Sequence, residues 1–167
     1  PHLVGDFIEA TWQPLPHEGL GFSAISADAY LNAGSKATVV LLGPGLGMDE
    51  GTRAFVHALV PEIQPPLVID ADGLKHLAGL DNWWEKLPEG SILTPHPGEM
   101  GILTGMSVEE IQADRFGTAE RSAAEWGSVV VLKGAFTVAA EPSGRSAVLP
   151  IATPALARAG TGDVLAG

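Results

Sequence analysis

Three features of the 167-residue chain predict an α/β fold built on a mostly parallel central sheet covered by helices on both faces. Its short apolar runs do not alternate with polar residues, which is the pattern of strands buried on both sides. Between the runs lie segments whose apolar residues recur at helical spacing. Each run stops at glycine, proline or a carboxylate, so special residues collect at the strand ends, where parallel sheets take their ligands.

Up to residue 36 the chain is mixed, with prolines and histidines and no clean period. "ATVVLLGPGLG" (37–47) is then a β-branched strand running into three glycines. "GMDEGTRAFVHALV" (47–60) follows as a helix, with Phe55, Val56, Leu59 and Val60 on one face. "PPLVIDADGL" (65–74) and "GSILTPHPGEM" (90–100) are two further buried strands, the first stopped by two aspartates and a glycine, the second by a Pro-His-Pro turn leading into a helix. The segment 107–127 reads as one helix opened by a Ser107/Glu110 capping box. Residues 128–150 read as strand, turn, strand, loop, strand, with "PSG" as the hairpin loop. No internal repeat or low-complexity linker interrupts the chain, so residues 1–167 are expected to form a single domain.

Composition narrows the function. A formal net charge of −11 offers no basic patch for nucleic acid or an anionic membrane. The absence of cysteine excludes disulfides, thiolate catalysis and cysteine-held metals. No apolar run is long enough to span a bilayer, and the N-terminus lacks a basic-then-apolar leader, so a cytoplasmic setting is the default expectation. The chain opens without methionine and stops in the first turn of a helix, which suggests a fragment of a longer domain, incomplete at both ends.

The chemistry-bearing residues lie at the predicted strand ends. In "GPGLG" (43–47) three glycines allow a ligand to lie against the main chain, or simply make a tight turn, and the spacing fits neither a dinucleotide fingerprint nor a Walker A loop. In "DADG" (70–73) Asp70 and Asp72 point to one side if the strand persists; Asp72 otherwise caps a helix starting at Gly73, and Asp70 is left open. In "TPHPGE" (94–99) two prolines fix the backbone around His96, with Glu99 three residues on in the first helical turn. In "LKGAFT" (132–137) Lys133 either faces a phosphate or reaches solvent from a hairpin. The remaining histidines, His2, His17, His57 and His76, have no partners at ligand spacing; Trp83 and Trp84 read as packing, and the acids of "SVEEIQADRF" as a solvated helix face. Finally, "AGTGDVLAG" (159–167) sets Gly160 and Gly162 before an apolar helix start, a segment suited to an anion, with Asp163 either a helix cap or an acid/base group.

In this order and spacing GPGLG, DADG, TPHPGE, KGxxT and AGTGDVLAG resemble the NAD(P)H-hydrate dehydratases of the ribokinase-like superfamily, from about residue 38 to 167. TPHPGE together with GTGDVLAG is specific to that family, whereas G-x-G-D alone marks any ribokinase-like kinase. The resemblance implies a three-layer α/β/α fold and a lyase that uses ADP or ATP, with magnesium, to phosphorylate the hydroxyl of hydrated NADH or NADPH and expel phosphate. It implies that Gly45 and His96 contact the hydrated dinucleotide and that Lys133, Gly134, Ala135, Phe136 and Thr137 lie along the nucleotide. Gly160, Thr161 and Gly162 would form an anion hole, Gly162 close to the nucleotide. Asp163 would hold the hydroxyl and take its proton, Glu99 would help to organise magnesium through water, and the family tends to form homo-oligomers. The family's first strands and the helices that follow GTGDVLAG have no counterpart here, and Lys75 stands where members often carry Asn. Two rival readings are a ribokinase-like kinase for a vitamin precursor or sugar, which has no need of TPHPGE, and a nucleotide-binding module without turnover.

Overall fold

The structure, a computed structural model, describes residues 11–17, 21–33, 36–151 and 161–166, and for Thr161, Asp163 and Ala166 only the backbone. Six strands form one sheet in sequential order: β1 (Val40–Leu42), β2 (Leu67–Ile69), β3 (Ile92–Leu93), β4 (Val129–Leu132), β5 (Val138–Ala140) and β6 (Ser146–Val148). The pairs from β1 to β4 are parallel, and β5 and β6 add an antiparallel hairpin. The registers place Leu42 beside Ile69, Ile69 beside Leu93 and Leu93 beside Val130, so the four parallel strands end almost level.

Helices α1 (Ala24–Asn32), α2 (Glu50–Leu59), α3 (Asp72–Leu77), α4 (Pro97–Thr104), α5 (Val108–Ala113) and α6 (Arg115–Trp126) fill the crossovers and the approach to β1, and α7 (Thr161–Ala166) stands near the chain's end. Their starts are written in the sequence. Asp49 accepts from the Thr52 N–H at 3.0 Å to open α2, and Pro97 enters α4 at a position where its missing N–H costs nothing. The Ser107/Glu110 capping box opens α5 as expected. The predicted single helix over 107–127 is instead two: Asp114 leaves helical geometry (φ −141°, ψ 65°) and its carboxylate takes the Gly117 N–H at 2.9 Å, ending α5 and capping α6 in one residue.

One face of the sheet is closed. Leu42, Leu67, Ile69, Leu93, Val130 and Leu132 are buried against Phe55, Val56 and Leu59 of α2, Leu74 and Leu77 of α3, Ile111 of α5 and Ala119, Ala123 and Trp126 of α6. Covering on both faces was expected; among the described residues the intervening strand positions Leu41, Val68, Ile92, Val129 and Val131 are only half-buried or exposed. Trp83, on a 3-10 turn (Trp83–Lys86), packs on Trp84 and Trp126 with ring centroids 5.6 and 4.8 Å apart, as expected of packing residues.

Candidate functional site

The sheet's ladder continues one residue past the strands and gathers the site. The Asp70 N–H donates to Leu42 O, the Thr94 N–H to Ile69 O and the Lys133 N–H to Pro95 O, at 3.1, 3.1 and 2.8 Å. Asp70, the Thr94–His96 turn and Lys133 therefore stand side by side at the carboxyl ends of β2, β3 and β4.

Lys133 turns into the site rather than out to solvent. Its side chain is 18% exposed, and Nζ donates to Asp70 Oδ1 at 2.5 Å and lies 3.8 Å from Glu99 Oε2. Asp70 is 1% and Glu99 4% exposed, so both carboxylates are buried, a placement that is costly without a paired cation. Asp70 Oδ1 also accepts from the Ala71 N–H at 2.8 Å. Glu99 Oε2 accepts from the His96 N–H at 2.9 Å, and Oε1 lies 3.3 Å from His96 Nε2. His96 Nδ1 accepts from the N–H groups of Gly98 and Glu99 at 2.9 and 3.2 Å, making the imidazole the cap of α4. That use of Nδ1 assigns the proton of a neutral ring to Nε2, facing Glu99.

The other segments close around this network. Strand β2 does not persist to Asp72: Ala71 takes φ 51°, ψ −123°, and turns the two aspartates apart. Asp72 is not a cap; it accepts from the Gly47 N–H at 3.1 Å and from Lys75 Nζ at 2.9 Å, and Lys75 above all holds its carboxyl below the usual range. His76 Nε2 donates to Gly47 O at 2.7 Å and His57 Nε2 to His76 O at 2.8 Å, so these two histidines, without partners at ligand spacing in the sequence, are fastened to main chain. Gly43 packs so closely on DADG that a Cβ would stand 1.7 Å from Asp70 O, whereas a Cβ on Gly45 (φ +70°) meets no atom within 4 Å. Gly45 thus presents bare main chain to open space beyond the sheet.

On the far side Arg115, which the sequence reading passed over, clamps the segment leaving β4. Its Nη2 donates to Leu132 O and Lys133 O at 2.9 and 3.2 Å, its Nη1 to Gln112 at 2.9 Å, and burial draws its pKa down. The turn beyond is tight: Gly134 (φ +145°) sits against the guanidinium, Thr137 Oγ1 donates to Gly134 O at 3.0 Å, and Phe136 holds φ 57° with its ring exposed. Such strained residues collect at functional turns. Gly162 completes the ring of segments, since a Cβ on it would lie 3.5 Å from Lys133 Nζ and 3.6 Å from Asp70 Oδ2. Gly160 and the side chains of Thr161 and Asp163 lie outside the described residues.

Among the described residues no group of three or more His, Asp or Glu side chains converges as a metal site. Both Glu99 oxygens are engaged by His96, and the Lys133 ammonium stands against both carboxylates. Glu99, its oxygens so engaged, suits contact with an ion through water.

The chain is similar to the bifunctional NAD(P)H-hydrate repair enzyme Nnr of Salinibacter ruber, 46% identical over 99% of this chain and 31% of that protein. It is similar to the ADP-dependent (S)-NAD(P)H-hydrate dehydratase of Bacillus subtilis, 38% identical over 85% of this chain and 49% of that protein. A crystal structure of the ADP/ATP-dependent NAD(P)H-hydrate dehydratase of Bacillus subtilis, co-crystallised with ATP/Mg2+ and soaked with CoA, superposes with a TM-score of 0.76 at 32% identity, over 99% of this chain and 56% of that one. A ribokinase-like superfamily protein of Enterococcus faecalis superposes with a TM-score of 0.70 at 27% identity, over 86% of this chain and 49% of that one, and the fold is ribokinase-like. The chain thus spans about a third to a half of the length of these curated relatives. A family model described as NAD(P)H-hydrate dehydratase matches residues 7–167, taking in all five converging segments, and the chain belongs to that family.

Proposed function

We propose that this chain takes part in the nucleotide-dependent dehydration of hydrated NADH or NADPH. The observation that carries the reading is the meeting of DADG, TPHPGE, LKGAFT and Gly162 of α7 around the Lys133 ammonium and the buried carboxylates of Asp70 and Glu99, with GPGLG packed on DADG. Relatives of known activity supply the reaction class.

In this reading the hydrated dinucleotide lies along the bare main chain at Gly45 and against His96. The nucleotide, ADP or ATP, lies along Lys133 to Thr137, with the exposed Phe136 ring beside the base and Lys133 toward the phosphates. Gly160, Thr161 and Gly162 surround the transferring phosphoryl group with main-chain N–H groups. Asp163 accepts the proton of the hydrate hydroxyl, whose oxygen attacks the terminal phosphorus as the bond to the remaining nucleotide phosphate breaks. The carbon–oxygen bond then breaks with its electron pair on phosphate, and loss of a ring proton restores the dihydronicotinamide. Hydroxide is a poor leaving group and phosphate a good one, and the protein's share is positioning and charge neutralisation. Glu99 would hold magnesium through water, and the ion would supply neutralising charge on the phosphates. A single domain over 1–167, a homo-oligomer and a cytoplasmic setting complete the proposal.

The test follows the dihydronicotinamide absorbance band on mixing hydrated NADH, protein, magnesium and either ADP or ATP. The band should grow with one nucleotide and fail to grow with Asp163→Asn, while that variant still binds nucleotide by calorimetry. Near-normal turnover in Asp163→Asn removes the base assignment. A flat trace for wild type, with a stable phosphorylated product, turns the reading to a small-molecule kinase.

A further inference from the structure

Asp70 takes no part in the steps proposed above, yet among the described residues it is the most deeply buried carboxylate of the site, and it holds the Lys133 ammonium. We infer that Asp70 is a positioning residue: it fixes the Lys133 ammonium beside Gly162 in the first turn of α7, where that ammonium meets the phosphates of a nucleoside di- or triphosphate. This rests on the nucleotide site proposed above.

Lys133 leaves the end of β4 with a four-carbon stem, which in solvent samples many rotamers. Here its choices are removed. Its backbone N–H is bound to Pro95 O, its backbone oxygen is gripped by Arg115, and its ammonium is drawn to Asp70 Oδ1 with Glu99 behind. Asp70 is itself fixed through the Ala71 N–H on a strained turn. The remaining 18% of exposure, together with the 3.5 Å to a Cβ on Gly162, directs the free part of the ammonium toward the Gly162 segment. An anion bound there gains a cation already in place, but it also meets the negative charge of Asp70, with Oδ2 only 3.6 Å from the same point. In the ground state the two effects oppose. Their balance explains why the pair is used for placement, since a displacement of about 1 Å at the reacting group costs on the order of a hundredfold in rate.

The test is a double-mutant cycle over Asp70→Asn, Lys133→Gln and the double variant, measuring ADP affinity by calorimetry and turnover with hydrated NADH. Asp70→Asn should leave ADP affinity and KM within about threefold of wild type while kcat falls about tenfold or more. In the Lys133→Gln background the same substitution should tighten ADP binding about tenfold, because it removes a negative charge no longer neutralised. If Lys133→Gln alone fails to fold, because Asp70 is left unpaired, the double variant, which removes both charges, should fold and bind ADP more weakly than Asp70→Asn, which keeps the ammonium. The inference is overturned if Asp70→Asn changes ADP affinity by the same factor in both backgrounds, if it leaves kcat unchanged, or if the double variant loses activity as the product of the single losses. Wild type that binds ADP but restores no dihydronicotinamide refutes the dehydratase reading and leaves the affinity cycle to decide this one. Wild type that binds neither ADP nor ATP refutes both.

Discussion

The ring of His96 is engaged on two sides. Nδ1 takes the first free N–H groups of α4, and Nε2 turns its proton toward Glu99, leaving the ring's outer face to solvent at the rim of the site. Helix capping and the proposed substrate contact are therefore separable. His96→Ala should lower stability by about 1 kcal/mol, the ordinary loss for a missing cap. His96→Asn, whose amide oxygen caps well, should recover that stability in a thermal melt while KM for the hydrate stays raised about tenfold or more. Recovery of both by Asn would reduce His96 to a cap. At this scale the sequence reveals only part of the site. The two prolines mark His96 as a fixed residue, but nothing local pairs Lys133 with Asp70, 63 positions away. That pairing needs β2, β3 and β4 to be adjacent and level, which is tertiary information. Arg115 was hidden by its setting in a helix whose acids are solvated; the strand-end carbonyls it grips became its partners only on folding.

Turns, more than strands or helices, carry the precision of the site at the scale of elements. The GPGLG loop and the DADG turn touch main chain to main chain at Gly43 and Gly73, while Asp72 and His76 fasten Gly47 from the other side. Gly43→Ala would drive a methyl into Asp70 O and also strain a backbone at φ +136°. Its cost should be about 3 kcal/mol or more, read as a shift in the denaturation midpoint. Gly45→Ala, strained but unobstructed, should cost about 1 kcal/mol and act mainly on hydrate KM. The apolar runs announce β1 to β4 because strands so short and so β-branched have little else to form, and the "PSG" loop announces the β5–β6 hairpin. The break at Asp114 was missed because the helical period on either side of it runs on in phase. What decides it is a single carboxylate that prefers the Gly117 N–H to helical geometry, a local competition that periodicity does not register.

Across the whole molecule, the division of labour runs along the strands. Their carboxyl ends hold every segment of the proposed site. Their amino ends are reached from the other side, where α6 finishes at Trp126 just before β4, and the Trp83–Lys86 turn shortly precedes β3. The tryptophan cluster therefore sits at the end of the sheet away from the proposed nucleotide site. This gives the protein a built-in optical separation. Three of its four indoles report on whether the core is assembled, and they should stay silent, within a few per cent in intensity and wavelength, when ADP saturates the site. An emission change tracking ADP occupancy would mean that the two ends of the sheet communicate. If emission changes only on unfolding, the same sample serves both a folding titration and a binding titration, with neither signal contaminating the other.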